Sequence, residues 1–161
     1  MKRKILLGIA VLLLALQLVR PARNLSNDQS RHLNTILPVP AEVESILKVA
    51  CNDCHSNYTV YPWYANIQPV GLWLRNHVEE GKRELNFSTF ANKRAAVQNH
   101  KLEEIIEMVK EGEMPLNSYT WTHRDAILSQ EQKALLTGWA QSLMDTLKSR
   151  YPADSLVLRR K

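Results

Sequence analysis

The sequence predicts an all-α fold, in which a helical domain with long loops follows an apolar N-terminal helix. Between residues 40 and 147, apolar side chains recur at intervals of three and four in four separate segments, as on the buried face of a helix. No segment alternates apolar and polar residues in the manner of a strand. A chain of 161 residues has room for one domain with a core of its own.

Residues 1–23 predict an uncleaved signal anchor. Three basic residues precede an apolar run over residues 5–19, which Gly8 and Gln17 alone interrupt. The run is short for a bilayer and would suit a cleaved signal peptide, but no small-residue cleavage site follows it and Pro21 stands in its place. We therefore expect a single-pass protein of the inner membrane, attached through its N-terminal helix, with its domain in the periplasm.

Residues 24–38 are polar and lack a helical period, so they predict a tether, although a loop packed on the domain is the alternative. The domain itself is expected over residues 39–147. Its first helix begins at Pro40 and runs into the two cysteines of the chain. Residues 148–161 are rich in basic side chains and predict a loose, solvated tail.

Sequence signals at the helix ends predict where the other helices begin or stop. Gly81 is predicted to stop the second helix and Gly112 the third, because glycine commonly follows the last turn of a helix. Ser129 stands three residues before Gln132, which is the spacing of a capping box at the start of the last helix. Long loops remain around residues 56–68 and 114–128.

The distribution of charge argues against a nucleic-acid partner. The net charge of +5 comes from the two ends of the chain, because residues 1–23 and 148–161 each contain five Lys or Arg. The segment between them contains more acidic than basic residues. A nucleic-acid-binding domain carries its positive charge on the folded body, so this class is excluded.

The segment KVACNDCHSN holds both cysteines, Cys51 and Cys54, followed directly by His55. A structural zinc site needs a second pair of ligands at short spacing, which the chain lacks. A thioredoxin-like motif needs a βαβ context, and a disulfide closing so small a loop adds little stability. The spacing instead predicts one covalently attached haem c, held by two thioethers, with His55 as the proximal iron ligand.

The order of motifs resembles that of class I c-type cytochromes, with C-x-x-C-H after a first helix, a later Met-Pro and a closing amphipathic helix. More closely, the blocks CNDCHSN, YPWYANIQP, HVEEGKRELNFS, KLEEIIEMVKEGEMPL and LSQEQKALLTGWA look like the exported bacterial proteins grouped as a haem-binding domain family. The resemblance covers about residues 39–145 and implies a cytochrome c-like helical domain around one haem. It also favours Trp63 and Trp73 as walls of the haem pocket.

The sixth iron ligand is predicted to be Met114, in the loop segment GEMPL. This placement resembles the loop methionine of class I cytochromes, whereas Met108 and Met144 fall within helical patterns. The alternatives are His77, His100 or His123, or an open iron. A haem iron with histidine and methionine ligands suits electron transfer.

The sequence therefore predicts a membrane-anchored monohaem cytochrome that passes single electrons to a redox protein partner and is not an enzyme. Its acidic body suits docking to a basic patch on that partner. A haem-based sensor or small peroxidase with an open iron is the first alternative. An interaction module that haem merely stabilises is the second.

Overall fold

The computed structural model describes residues 1–158, and it confirms the all-α prediction. Seven α-helices are joined by loops and short 3₁₀ turns in this part of the chain. They are α1 (Lys2–Leu16), α2 (Ala41–Ala50), α3 (Asn52–His55), α4 (Val70–Glu84), α5 (Ala95–Glu111), α6 (Asn117–Thr120) and α7 (Gln130–Arg150). The strand-like pairing among these residues is limited to one isolated bridge, between Leu25 and Tyr58.

The core lies where α5 and α7 pack against each other and α2 packs against α7. Leu102 of α5 and Leu136 and Leu143 of α7 are fully buried there. A 3₁₀ helix, Phe87–Asn92, adds the buried rings of Phe87 and Phe90. These apolar contacts hold the helices that carry the site.

The start of α7 is the predicted capping box. The Ser129 hydroxyl accepts from the Gln132 N–H at 3.1 Å, and the Gln132 side chain accepts from the Ser129 N–H at 2.9 Å. The end of α5 also matches the prediction, because Gly112 adopts the left-handed conformation with φ 79°. On α7, Leu135 is 40% exposed, whereas the next residue, Leu136, is buried.

Residues 24–38 pack on the domain. They form the packed loop that was the alternative prediction, and not a free tether. Leu33 and Leu37 are almost fully buried in the core. The Trp139 indole N–H donates to the Pro38 carbonyl at 3.0 Å. The Asn24 amide donates at 2.8 Å to the carbonyl of Ser56, beside the cysteine motif. This mostly polar segment is therefore held on the core by two buried leucines, Leu33 and Leu37.

The prediction of a solvated tail was wrong for the residues directly after α7. This helix continues to Arg150, whose side chain donates to the Ile36 carbonyl at 3.1 Å. A 3₁₀ helix, Ala153–Leu156, then packs against α5 and buries Leu156. The burial of one leucine holds the segment on the core. Residues 159–161 of the predicted tail lie outside the described residues.

Helix α1 is apolar, and its large side chains are exposed. Its C-terminal end is fixed to the domain, because Gln17 and the backbone of Gln68 exchange two hydrogen bonds of 2.9 and 3.0 Å. Along residues 1–158, no helix combines the length and the apolar character that a membrane span requires.

Candidate functional site

The cysteine motif forms a short turn of helix between α2 and α4. Helix α2 ends at Ala50, Cys51 leaves helical geometry with φ −130°, and α3 begins at the next residue. The Cys51 carbonyl accepts from the backbone N–H groups of Cys54, at 3.2 Å, and His55, at 2.9 Å. This turn places both thiols and the imidazole close together.

Both cysteines are free thiols in a partly buried setting. Burial, followed by the neighbouring Cys54, raises the pKa of Cys51 to about 12. Burial, followed by the Asp53 carboxylate, raises the pKa of Cys54 to about 11. The thiols are therefore neutral at physiological pH, and the pair lacks the lowered pKa that typifies a thioredoxin-like cysteine.

His55 is oriented by two carbonyl groups of the end of α4. Its Nδ1 lies 3.0 Å from the carbonyl oxygens of both Gly81 and Leu85. Since carbonyls only accept, Nδ1 carries the proton and Nε2 keeps its lone pair. Burial lowers the pKa of His55, which further favours the neutral ring. A neutral imidazole whose other nitrogen donates to a carbonyl is the usual form of a metal-binding histidine.

Gly81 does not stop α4 as the sequence predicted, because the helix continues to Glu84. Its role is a close approach between α4 and the cysteine motif. A Cβ at this position would lie 2.7 Å from the Cys54 carbonyl oxygen and 2.9 Å from the Cys54 Cβ. The missing side chain therefore lets the Gly81 carbonyl reach His55.

Two adjoining cavities open beside the motif. The first, here called the motif cavity, has a volume of about 420 Å³ and is lined by Cys51, Cys54, His55 and Met114, among others. The second, the aromatic cavity, measures about 310 Å³ and is lined by Trp73, Tyr61, Tyr64 and Trp121, with His123 at its wall. The cavities share five wall residues, namely Asp53, Cys54, His77, Leu116 and Tyr119. They are neighbouring parts of one cleft, of the size and apolar character that a cofactor needs.

The end of α5 brings Met114 to the motif cavity. After the left-handed Gly112, the backbone N–H groups of Glu113 and Met114 both donate to the Met108 carbonyl, at 3.0 and 3.1 Å. These bonds turn the chain back on the last turn of α5. A residue 59 positions after His55 thereby faces the same cavity as the histidine.

Sequence reasoning missed the connection between the motif and the Met114 loop. The Tyr119 hydroxyl donates to the Asp53 carboxylate at 2.9 Å and lies 3.2 Å from the Val49 carbonyl. The other Asp53 oxygen accepts from the Val60 N–H at 2.9 Å. Burial, followed by the Asp53 charge, raises the pKa of Tyr119 well above its usual range, so the hydroxyl remains a donor.

Comparison with known proteins gives a match to one family. The model of the haem-binding domain family matches residues 11–142, which is most of the chain. The chain belongs to the haem-binding domain family. No curated protein and no solved structure matches it significantly.

The residues of the motif cavity fit a haem. Two neutral thiols at the attachment spacing, an imidazole with a free Nε2 and a thioether sulfur are the groups that haem c uses. A further observation that fits a bound group concerns His77. Its Nε2 is buried and has no hydrogen-bond partner among the described residues. An orphaned buried nitrogen in a cavity wall is costly unless a ligand reaches it.

The other predicted histidines differ in their surroundings. His100 is on an exposed face of α5, with Nε2 3.0 Å from the Glu104 carboxylate, and does not line either cavity. His123 lines the aromatic cavity alone, and its ring stacks on Tyr119 at 4.1 Å. Of the three histidines, His77 is the one that shares the motif cavity with Met114.

The two predicted tryptophans have different positions. Trp73 lines the aromatic cavity and meets the His77 ring edge to face at 4.4 Å. Trp63 is 75% exposed and lines neither cavity, so the structure does not bring it to the candidate site. The 3₁₀ helix after Pro62 turns Trp63 outward, while the next residue, Tyr64, faces the cavity.

Proposed function

We propose that this haem-binding domain is a monohaem c-type cytochrome that transfers single electrons. Cys51 and Cys54 would hold the porphyrin through thioethers, and His55 and Met114 would bind the iron. The observation that carries the proposal is that these four side chains line one cavity. A bound haem supplies an iron that alternates between the ferrous and ferric states.

The chain's own contribution is to hold its ligands in place in both states. The Gly81 and Leu85 carbonyls fix the plane and the tautomer of His55. The Tyr119–Asp53 hydrogen bond ties the segment after Met114 to the motif. Apolar walls exclude water, which limits the reorganisation that accompanies a change of charge.

The proposal includes a redox protein partner. Glu80 and Glu84 line the motif cavity and are exposed, so they place acidic groups at its edge. Arg83 pairs with both, at 3.4 and 3.6 Å, and cancels part of this charge. A partner with a basic patch should react faster at low ionic strength. Glu80→Gln with Glu84→Gln should weaken that salt dependence, whereas Glu131→Gln on α7 should not.

Export of the domain is also part of the proposal. It is supported by the three basic residues and the apolar run at the N-terminus, which are typical of an export signal. It also agrees with the usual location of haem c proteins, which function outside the cytoplasm. Protease treatment of intact spheroplasts tests it. A domain digested without lysis agrees with export to the periplasm, and a protected domain opposes it.

Spectroscopy of the haem-loaded protein tests the iron ligands. The ferric form should show the weak red absorption band of a thioether sulfur on iron, and Met114→Ala should remove it. Met144→Ala is the matched control, because Met144 is buried on α7 away from the cavity. A ferric protein that lacks the band before any substitution contradicts the assignment of Met114. One-electron reduction should be reversible, and its absence opposes electron transfer.

A further inference from the structure

The side chain of His77 lies in the wall of the candidate site. It lines both the motif cavity and the aromatic cavity, and its Nε2 is buried without a hydrogen bond within residues 1–158. Trp73 holds the ring edge to face at 4.4 Å. A buried imidazole nitrogen left unpaired costs free energy, so the Nε2 of His77 is available to bind a group that enters the cavity.

The helix that carries His77 is the one that orients His55. Gly81, one turn further along α4, accepts from His55 at 3.0 Å and contacts the motif through its bare backbone. His77 is therefore fixed relative to the proximal ligand by a continuous helix. Met114 instead lies in a loop, and its side chain is only partly buried.

Imidazole and thioether are both good ligands for haem iron. The imidazole is the harder of the two, and hard ligands favour the more highly charged metal ion. Only one of the two side chains can bind opposite His55 at a time. Resting on the proposed function, we propose that His77 is a reserve axial ligand, which binds the ferric iron through Nε2 whenever the sulfur of Met114 is absent.

The exchange needs no additional reactant. Where the sulfur of Met114 no longer binds the iron, a bond from Nε2 of His77 would take the place of the iron–sulfur bond, with no change in the electrons of the iron or in the thioethers to the cysteines. The iron stays six-coordinate with two histidine ligands, and its reduction potential falls relative to the methionine-bound form. The site would then keep small molecules away from the iron even when Met114 is lost or oxidised.

Four ferric proteins test the proposal by electron paramagnetic resonance and azide titration. They are Met114→Ala, Met114→Leu, and each of these combined with His77→Ala. The single variants should be low-spin with bis-histidine ligation, and the double variants should be high-spin. If His77 occupies the iron nine-tenths of the time, the single variants should bind azide about 10-fold more weakly than the double variants. Leucine keeps the volume of Met114, so it separates loss of the sulfur from collapse of the loop.

The matched control is Met114→Ala combined with His123→Ala, since His123 lines only the aromatic cavity. It should remain low-spin. High-spin single variants that bind azide as tightly as the double variants would overturn the proposal. So would a double variant that remains low-spin, because another residue would then be the ligand. If the unaltered chain retains no haem after denaturation, the proposed function fails instead, and the two failures are distinguishable.

Discussion

The hydroxyl of Tyr119 is predicted to stabilise the fold by joining the motif to the Met114 loop. Tyr119→Phe removes the 2.9 Å hydrogen bond to Asp53 and the weaker 3.2 Å contact with the Val49 carbonyl, and it keeps the ring that stacks on His123. A hydrogen bond to a charged group contributes about 1.5–3 kcal/mol. Because Tyr119 is only partly buried, we take the lower end, about 1.5 kcal/mol.

For a chain of this length, such a loss lowers Tm by about 3–6 °C. Urea unfolding of the haem-loaded protein, followed by far-ultraviolet circular dichroism, measures the free energy directly. Tyr151→Phe is the matched control, because Tyr151 is 44% exposed and its hydroxyl makes no hydrogen bond in the described part of the chain. A double-mutant cycle with Asp53→Asn should give a coupling free energy above 0.5 kcal/mol in magnitude. A Tyr119→Phe protein as stable as the control would refute the reasoning.

Three further predictions concern the close approach at Gly81, the docking of the C-terminal segment and the pKa of Tyr119. Gly81→Ala should destabilise the protein by more than about 1 kcal/mol, because the new methyl group overpacks against the cysteine motif. Gly138→Ala on α7 is the control: its methyl group would meet no atom within 4 Å, so it should stabilise the protein by about 1 kcal/mol. Equal effects of the two substitutions would contradict the close approach at Gly81. Leu156→Ala should cost about 2–3 kcal/mol in urea unfolding, whereas the 40%-exposed Leu158→Ala should cost little, and similar costs would mean that the C-terminal segment is not docked. Because the pKa of Tyr119 is raised in the folded protein, its contribution to stability is complete below a pH of about 10, the pKa of an unfolded tyrosine, and is lost as the pH rises beyond it. Above that pH, the haem-loaded protein should therefore lose stability more steeply than Tyr119→Phe. Parallel curves of stability against pH would contradict this prediction.

Local rules predicted the helices and their ends where a signal lies within a few residues. The capping box at Ser129 is formed by side-chain to backbone hydrogen bonds, and the left-handed Gly112 is accompanied by backbone hydrogen bonds. Both sets lie within about one turn of chain, so the local sequence was enough to predict them. Gly81 shows the limit of such rules. A glycine that permits close approach and a glycine that ends a helix look identical until the neighbouring segment is placed.

The sequence pointed to the candidate reactive groups of the site but not to the residues that support them. Cys51, Cys54 and His55 lie within five residues, so the chemistry proposed for them could be inferred from their spacing. The Asp53–Tyr119 pair is separated by 66 positions, and no local pattern connects two such common residues. The unpaired Nε2 of His77 likewise depends on what surrounds it, which only the packing of α4 reveals.

The position of Trp63 and the docking of residues 24–38 both depart from the local expectation. Aromatic residues are usually buried, but Trp63 is turned outward; polar segments are usually free, but tertiary contacts dock residues 24–38 on the core. Leu33 and Leu37 are isolated apolar residues in a polar stretch. Their burial depends on a core to which α5 and α7, more than fifty residues further along the chain, contribute together with α2.

Covalent attachment of haem at Cys51 and Cys54 is the central claim, and haem staining after denaturing electrophoresis tests it most directly. The full chain is produced in cells that attach haem to exported proteins, reduced, denatured and stained for peroxidase activity of bound haem. The unaltered chain should stain at its own mass with one haem per chain, and the variant with both cysteines changed to alanine should not stain. A correctly folded chain that runs unstained, or whose haem separates on denaturation, would contradict the account.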